Sequence, residues 1–346
     1  MYYKLEALAK SGVEITLHCF EHRRKRQEIL EKVCKKVYYY PRNSVVKSVC
    51  AVLPFIVTSR ANSELIARLQ EDKYPILFEG IHTTFPLLTT DLSDRITLVR
   101  MHNIEHDYYN GLAKSERNLF KKIFFKLEAK KLKYYEKHLS KSDYILAISP
   151  AETAYYQALF GEKVVFIPPF HENTQVAALS QKGDFTFYHG DLSISDNYQA
   201  VLFLMDIFKD MAYPLVIGGS FFPKKLQDKI EAIPQVSWLD ISDNAVLKEA
   251  FSKAHINVLL SFQKTGIKLK LINALYQSRF VLGNHAILDA TGLENLATLA
   301  DTKTEIRHEI QKIIQTDYTA DHIQAKEKSL APFQVKLNAA KIIELL

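Results

Sequence analysis

The sequence predicts an α/β protein with two doubly wound domains, each a parallel sheet covered by helices on both faces. Short apolar runs of strand length alternate with longer stretches of helical periodicity along nearly the whole chain, which is the pattern of buried parallel strands joined by helices. The alternation occurs twice, on either side of a stretch rich in proline and polar residues. A length of 346 residues also suffices for two domains with separate cores.

The first domain begins with a helix instead of a strand. The segment from Met1 to Gly12 has helical spacing, whereas a doubly wound domain normally opens with a strand and a glycine-containing turn. We therefore expect the first strand to be missing. Three explanations stay open: the chain is truncated at its start, another element takes the strand's place, or this helix simply begins the domain. The strands predicted in this half are Val13–Cys19, Val37–Tyr40, Pro75–Phe78, Ile96–Met101, Tyr144–Ile148 and Val164–Ile167.

The second domain repeats the scheme after a boundary between Pro168 and Gly183, where paired prolines and polar residues interrupt the periodicity. We predict domains over 1–168 and 169–330, followed by a short amphipathic helix over 331–346. In such a layout the default ligand site is the cleft between the carboxyl ends of the two sheets. The strands predicted in this half are Phe185–Tyr188, Leu215–Ile217, Val236–Trp238, Ile256–Leu260 and Phe280–Gly283.

Composition excludes several classes of protein. Hydrophobic and charged fractions of 47% and 24% are typical of a soluble globular protein, and no stretch reaches the roughly 18 uninterrupted apolar residues that span a bilayer. The N-terminus carries lysine and glutamate where a signal peptide needs an apolar core, so a cytoplasmic location is expected. The three cysteines have no paired spacing and favour neither a disulfide framework nor a zinc site.

The segment from Thr265 to Leu275 combines a helix-start signal, two lysines and an apolar stripe. It follows a predicted strand, so the first free N–H groups of the helix and the positive end of its dipole point above the sheet. Lys268 and Lys270 can add full charges there, which predicts a site for an anion such as phosphate. The alternative is an ordinary helix start with solvated lysines.

A second polar group follows two strands of the first half. His102, Asn103 and Glu105 lie in a loop that is unusually polar for a strand-to-helix connection, and His102 is either a structural hydrogen-bonding residue or a catalyst. Gly80 and His82 end another strand and are expected to line the same cleft, where the glycine permits close approach of the backbone. Adjacent ligands on one loop give poor coordination geometry, so no metal is expected.

These motifs together resemble the GT-B glycosyltransferases, specifically the retaining family 4 group. His102 matches the position of that family's acceptor-side histidine. The likeness covers nearly the whole chain, with four loops in the family's order. The segments that resemble the family's nucleotide-sugar half are Phe262 to Asn284 with Thr291-Gly-Leu293 after it, Tyr188-His-Gly-Asp-Leu192 followed by Asn197, and Val216-Ile-Gly-Gly-Ser220.

The resemblance implies two Rossmann-like domains that face a central cleft, and transfer of a hexosyl group, with retention, from a nucleotide diphosphate donor to a glycan or lipid-linked acceptor in cell-surface polysaccharide assembly. It implies catalysis by His102 without a metal or other cofactor, because fixed donors and cations stabilise the departing diphosphate. The implied donor-binding residues are Gly190, Gly218, Gly219, Lys264, Thr265, Gly266, Ile267, Lys268, Lys270 and Asn273, and the implied acceptor-side residues are Gly80, His82, Asn103 and Glu105.

The sequence departs from the family pattern at four positions. Thr265 and Asn273 stand where many members carry two carboxylates, and Asn273 can bind a ribose hydroxyl only more weakly than a carboxylate. Asp191 and Asp196 stand where the family has an arginine and a lysine. The usual balance of charge around the phosphates is therefore changed.

Three explanations of this change stay open. Lys264, Lys268 and Lys270 compensate for the lost cations, which we favour; or the donor is held differently; or activity is lost. The last case motivates a second hypothesis, a non-catalytic partner that binds a nucleotide or sugar. A nucleotide-sugar epimerase of the same architecture is a third.

The formal charge of +6 is concentrated between Lys114 and Lys141, which contain ten lysines and arginines and three glutamates. We call this segment the basic helix. Its lysines form either the solvated face of a core-packed helix or a contact with an anionic membrane surface, which would make the protein peripheral. Nucleic acid is not expected as a partner, because no recognition signature accompanies the charge. The apolar residues that recur near helical spacing are Leu119, Phe120, Ile123, Phe124, Leu127, Leu132, Tyr135 and Leu139.

Overall fold

The computed structural model describes residues 1–21, 26–116, 118–262 and 267–346. It divides the chain into two compact units, one formed by Met1–Phe170 with Phe333–Leu346 and the other by His171–Pro332. The C-terminal segment, which the sequence prediction set apart as 331–346, therefore belongs from Phe333 onward to the first unit.

Strands and helices alternate along the described parts of both units. The strands are β1 (Thr16–Phe20), β2 (Lys36–Tyr40), β3 (Ile76–Glu79), β4 (Thr97–Arg100), β5 (Tyr144–Ala147), β6 (Val164–Phe166), β7 (Phe185–His189), β8 (Leu215–Gly219), β9 (Val236–Asp240), β10 (Ala254–Leu259), β11 (Phe280–Gly283) and β12 (Thr298–Leu299). The helices are α1 (Tyr2–Lys10), α2 (Glu28–Val33), α3 (Val45–Val49), α4 (Phe55–Thr58), α5 (Ser63–Leu69), α6 (Pro86–Thr89), α7 (Glu105–Ser115), α8 (Leu119–Tyr135), α9 (Pro150–Phe160), α10 (Ser195–Phe208), α11 (Lys224–Glu231), α12 (Asn244–Lys253), α13 (Leu269–Gln277), α14 (His285–Leu288), α15 (Lys303–Ile314), α16 (Ala320–Leu330) and α17 (Val335–Ile343).

The first unit contains two parallel sheets, one of β1 and β2 and one in the order β3-β4-β5-β6. A doubly wound sheet has the order 3-2-1-4-5-6, with its first strand in the middle. The described residues place no strand at that position, between β1 and β3. Where the first strand is expected, the sheet is interrupted between β1 and β3.

Hydrophobic packing bridges this interruption on both faces. Phe20 of β1 and Ile76 of β3 pack against one small cluster that includes Leu65 of α5. On the other face, Ile15 and Leu77 pack against a cluster formed with α1 and α17. The helices on both faces therefore hold β1 and β3 in one layer although the two strands share no ladder.

The second unit is one parallel sheet in the order β12-β11-β10-β7-β8-β9. Read from β9, this is the doubly wound order, and the order in which strands are added reverses between β7 and β10. Every residue of β10 is buried, as expected for a strand with helices on both faces. All eleven predicted strands are present; β12, which is two residues long, was not predicted.

Helix α8 differs from its predicted packing. Leu132, Tyr135 and the following Leu139 are buried, whereas Leu119 and Phe120 are 72% and 86% exposed. The prediction treated the apolar positions as one stripe, but they occupy two faces of the helix. Separately, no helix within the described ranges is long and apolar enough to cross a membrane.

Candidate functional site

The site in the second unit lies at the carboxyl ends of β7 and β10, where the strand order of the sheet reverses. Helix α13 begins beside β10, and its N-cap residue, Lys268, makes no capping hydrogen bond with its side chain. Free N–H groups at a helix start attract anions. The position is thus the one at which an open α/β sheet normally binds its ligand.

Lys270 reaches back from the first turn of α13 to the ends of two strands. Its ammonium donates to the carbonyl of Leu260 at 3.2 Å and to Oδ1 of Asn197 at 3.3 Å, and it lies 5.6 Å from the ring centre of Tyr188. Burial, then the neighbouring Lys268, lowers the pKa of Lys270 to about 8, against the opposing effect of Asp196. A bound anion would favour the protonated form.

Lys268 and Asp196 meet at the hydroxyl of Ser261. The lysine ammonium donates to this hydroxyl, which in turn donates to Asp196 Oδ2 at 2.8 Å. The other carboxylate oxygen accepts the backbone N–H of Phe262 at 2.8 Å. We call Asp196, Ser261, Lys268 and Lys270 the Lys270 cluster. It contains two cations and one carboxylate.

The two aspartates that replace cations of the family pattern have different surroundings. Asp196 belongs to the Lys270 cluster, and Asp191 is exposed and accepts hydrogen bonds from the backbone and hydroxyl of Ser193 at 3.0 and 2.6 Å. The carbonyl of Asp191 also accepts from Asn197 Nδ2 at 2.9 Å. Asp191 therefore shapes its loop, while Asp196 offsets one lysine charge.

The glycines predicted to bind the donor lie close to side chains of their own unit. A Cβ on Gly190 would lie 3.0 Å from the side chain of Asn197, and a Cβ on Gly218 would lie 2.9 Å from the ring of Phe187. A Cβ on Gly219 would lie 3.1 Å from the side chains of Leu192 and Phe222. Side chains of the protein therefore limit the room for a Cβ at all three glycines, and their binding of the donor stays a prediction.

The remaining predicted donor residues divide into two groups. Ile267 is buried, and Oδ1 of Asn273 accepts from the side chain of Asn173 at 2.9 Å, so one polar group of this asparagine serves its own unit. Lys264, Thr265 and Gly266 lie outside the described residues.

His189, at the end of β7, was not singled out by the sequence. It is 7% exposed, and its Nδ1 has no hydrogen-bond partner within the described part of the chain. Burial, with a smaller effect of Lys270, lowers the pKa of His189 to about 3. The residue is therefore a neutral, incompletely bonded group beside the Lys270 cluster. Its place at a strand end, next to Gly190, was the available signal.

The site in the first unit is centred on Glu79, at the end of β3. Its carboxylate accepts from His102 Nε2 at 2.9 Å, pairs with the buried ammonium of Lys4 and lies 3.7 Å from Arg100 Nε. Burial alone would raise the pKa of Glu79, but Lys4, the hydrogen bond with His102 and Arg100 hold it well below its usual range. We call Lys4, Glu79, Arg100 and His102 the Glu79 cluster.

His82 covers the glycine that precedes its turn. Gly80 has a φ of +86°, which side chains other than glycine rarely adopt, and a Cβ there would lie 2.5 Å from the ring of His82. The ring centres of His82 and His102 are 6.0 Å apart. Burial, then Arg60 and His102, lowers the pKa of His82 to about 3, so His82 is neutral near pH 7.

Two further carboxyl groups lie near the Glu79 cluster. Burial raises the pKa of Glu105, at the start of α7, against the effects of His102 and Asn103. Burial, with a smaller effect of Glu105, also raises the pKa of Glu152, in the first turn of α9, to about 7. The structure therefore brings the predicted acceptor-side residues together and adds Glu79 and Glu152. The described residues contain no group of three or more side chains suited to a metal ion.

Two parallel-sheet units with polar clusters at their strand ends define a GT-B glycosyltransferase fold, and solved structures of that fold cover the whole chain. Anabaena HepE in complex with UDP and glucose is 12% identical, with a TM-score of 0.64 over 100% of this chain and 96% of that one. A glycosyltransferase from Rickettsia africae is 13% identical, with a TM-score of 0.64 over 99% and 93%. These likenesses establish the fold.

Other similar proteins are longer than this chain. TarM of S. aureus, solved as a mutant with Fondaparinux, alpha-GlcNAc-glycerol and UDP, is 13% identical, with a TM-score of 0.57 over 81% of this chain and 57% of that one. A curated relative, an uncharacterised 44.6 kDa protein in the cps region of Klebsiella pneumoniae, is 31% identical over 157 residues, which are 43% of this chain and 40% of that protein. No family model matches the chain.

Proposed function

We propose that this protein is a glycosyltransferase that moves a sugar from a nucleoside diphosphate donor, bound by the second unit, to a glycan or lipid-linked acceptor, bound by the first. The observation that carries the proposal is the Lys270 cluster. Two lysines and the start of α13 converge at the position where the strand order of the sheet reverses. Diphosphate is the part of such a donor that two cations and a helix N-terminus recognise.

The proposed chemistry needs stabilisation of the departing diphosphate. Lys270 and Lys268 supply fixed positive charge, and the first N–H groups of α13 supply hydrogen-bond donors. We propose that this set works without a metal and that the transferred group is a hexose, with its anomeric configuration retained. His102, held by Glu79 at 2.9 Å, is proposed to contact the reacting sugar or acceptor.

We also propose that the reaction takes place in the cytoplasm, at the inner face of a membrane, during assembly of a cell-surface polysaccharide. The relative from the cps region of Klebsiella pneumoniae supports this role. The exposed lysines of the basic helix support a peripheral location, since anionic lipid attracts such residues.

A second function, a non-catalytic partner that binds a nucleotide or sugar, is favoured by one observation. Asp196 places a carboxylate 2.8 Å from Ser261 within the Lys270 cluster, where it opposes the binding of an anion. Turnover separates the two functions. Incubation of the protein with UDP-sugars and candidate acceptors should release UDP, detected by a coupled assay; a protein that binds donor but releases none with any acceptor would be the partner.

A further inference from the structure

The outward face of α8 is apolar. Leu119, Phe120, Ile123 and Leu127 are exposed by 72%, 86%, 55% and 53%. Their spacing places them on one side of the helix, while Leu132 and Tyr135 on the other side are buried in the core of the first unit. Such a stripe, directed to solvent on a well-packed helix, marks a binding surface.

A second exposed apolar group adjoins this stripe. Val45 and Val46 of α3 are 65% and 75% exposed, and Val52 is 92% exposed. The ammonium of Lys131 on α8 donates to the carbonyl of Ala51 at 2.9 Å, so the segment that contains Ala51 and Val52 contacts the helix. The segment and α8 also share an open recess lined by Val52, Leu53, Pro54, Lys130, Lys131, Tyr134, Tyr135 and His138.

Between residues 118 and 141, the charge at the surface has a single sign. The two carboxylates between residues 118 and 141 are buried: Glu128 accepts the backbone N–H of Phe55 at 2.6 Å, and Glu136 accepts the hydroxyl of Tyr155 at 2.6 Å. The side chains that bring charge to the surface are therefore cationic. They are Lys121, Lys122, Lys126, Lys130, Lys131, Lys133, Lys137 and Lys141.

We propose that this face docks on an anionic lipid bilayer, with Leu119, Phe120 and Ile123 inserted among the acyl chains and the lysines in contact with lipid phosphates. A bilayer offers an apolar interior beneath a negative surface, which matches both properties of the face. A second copy of the chain would bring like charges together, and nucleic acid offers no apolar interior. The proposal rests on the peripheral location proposed above and gives it a structural basis.

Vesicle sedimentation tests this surface. The protein should sediment with vesicles of phosphatidylcholine containing about one third phosphatidylglycerol, but only weakly with phosphatidylcholine alone. Replacing Phe120 and Ile123 together by Gln should weaken binding by about tenfold or more, because the side chains no longer leave water. Lys126→Gln with Lys130→Gln should weaken it by about fivefold per lysine, and about 1 M salt should remove most of the lysine contribution.

The matched control variants lie in the second unit. Phe221→Gln with Leu299→Gln removes two exposed apolar side chains, and Lys224→Gln with Lys229→Gln removes two lysines of α11; both should bind vesicles like the wild type. All variants should retain the wild-type melting temperature, since the replaced side chains are exposed. Equal binding to neutral vesicles, or unchanged binding of the Phe120/Ile123 variant, would overturn the proposal.

Two further measurements keep this proposal separate from others. A dimer that dissociates in the Phe120/Ile123 variant, without any binding of vesicles, would assign the face to a second copy and overturn the lipid assignment. Uridine diphosphate should bind wild type and variant equally. Vesicle binding without nucleotide binding would contradict the transferase and still support the docking face.

Discussion

Lys270 is positioned by contacts with the segments that follow β7 and β10, the two strands between which the strand order reverses. Its ammonium bonds to the carbonyl that follows β10 and to Asn197 of α10, so the charge is held at a fixed point before any ligand binds. Fixed charges of this kind stabilise a transition state without reorganisation. Since Asp196 offsets one of the two lysines, the site has about one net positive charge and the helix dipole.

Glu152 predicts an unusual dependence of stability on pH. Its folded pKa of about 7 exceeds the ordinary value of 4.5, so the folded protein binds more protons than the unfolded chain between these values, and stability is lost as pH rises through that range. Glu152→Gln should remove this loss. Measured by urea unfolding, the substitution should raise the free energy of unfolding at pH 8 by up to about 3 kcal/mol more than it does at pH 5.

The exposed Glu162 provides the control for this prediction. Glu162→Gln should change stability equally at both pH values, because its side chain is exposed. A Glu152→Gln variant whose effect is the same at pH 5 and pH 8 would show that Glu152 is ionised normally in the fold.

His102 predicts a separation of turnover from donor binding. It lies in the first unit, paired with Glu79, while the Lys270 cluster lies in the second. His102→Ala should lower kcat by about 100-fold or more and leave the Kd for UDP within about twofold. The exposed His308 is the matched control, and His308→Ala should alter neither. Full activity of His102→Ala would remove the residue from the mechanism.

The sequence could name residues whose position in a motif implies a role, and it missed those defined by burial. Lys268, Lys270 and His102 follow predicted strands and were named in advance. Lys4 pairs with Glu79 across 75 positions of the chain, a separation that periodicity cannot bridge. His189 stands out because its buried Nδ1 has no hydrogen-bond partner within the described part of the chain, which only the fold shows.

At the scale of elements, the turn after β3 is tightly constrained. The left-handed conformation of Gly80 and the ring of His82 both exclude a side chain. The same region joins β3 to the residues that accompany His102. The geometry of this turn therefore sets the position of the Glu79 cluster relative to His82.

A pair of glycine substitutions tests that constraint. Gly80→Ala should destabilise the protein by about 2 kcal/mol, from backbone strain and the contact with His82. Gly111→Ala lies inside α7, where a Cβ meets no atom within 4 Å, and should stabilise it by about 0.5–1 kcal/mol. Thermal unfolding measures both. Equal shifts of Tm in the two variants would contradict the assigned role of Gly80.

Strands were predictable because buried parallel strands form continuous apolar runs. The two residues of β12 are too few for such a signal. Helix α8 shows the limit of periodicity, since apolar spacing identifies a helix but does not tell which of two apolar faces meets the core. Gly190, Gly218 and Gly219 show another limit, because a glycine in the sequence does not tell close packing by protein side chains from close approach of a ligand.

At the scale of the whole molecule, the second unit has a complete doubly wound sheet and the first an interrupted one. Alternating strands and helices predicted both, because right-handed crossovers leave few ways to order parallel strands. The interruption between β1 and β3 lies where the sequence pattern predicts no strand. We propose that charge on the surface of the first unit and charge at the strand ends of the second serve different partners, a lipid surface and a diphosphate.

Isothermal titration with nucleoside diphosphates, UDP first, tests most directly whether the second unit binds a nucleotide donor. Wild type should bind at least one of them. Lys270→Ala should weaken that binding by about ten- to a hundredfold, the effect of losing a hydrogen bond to a charged group, while Lys224→Ala, at a side chain 76% exposed, should leave it unchanged. Absence of binding to every nucleoside diphosphate, or equal effects of the two substitutions, would contradict the donor site.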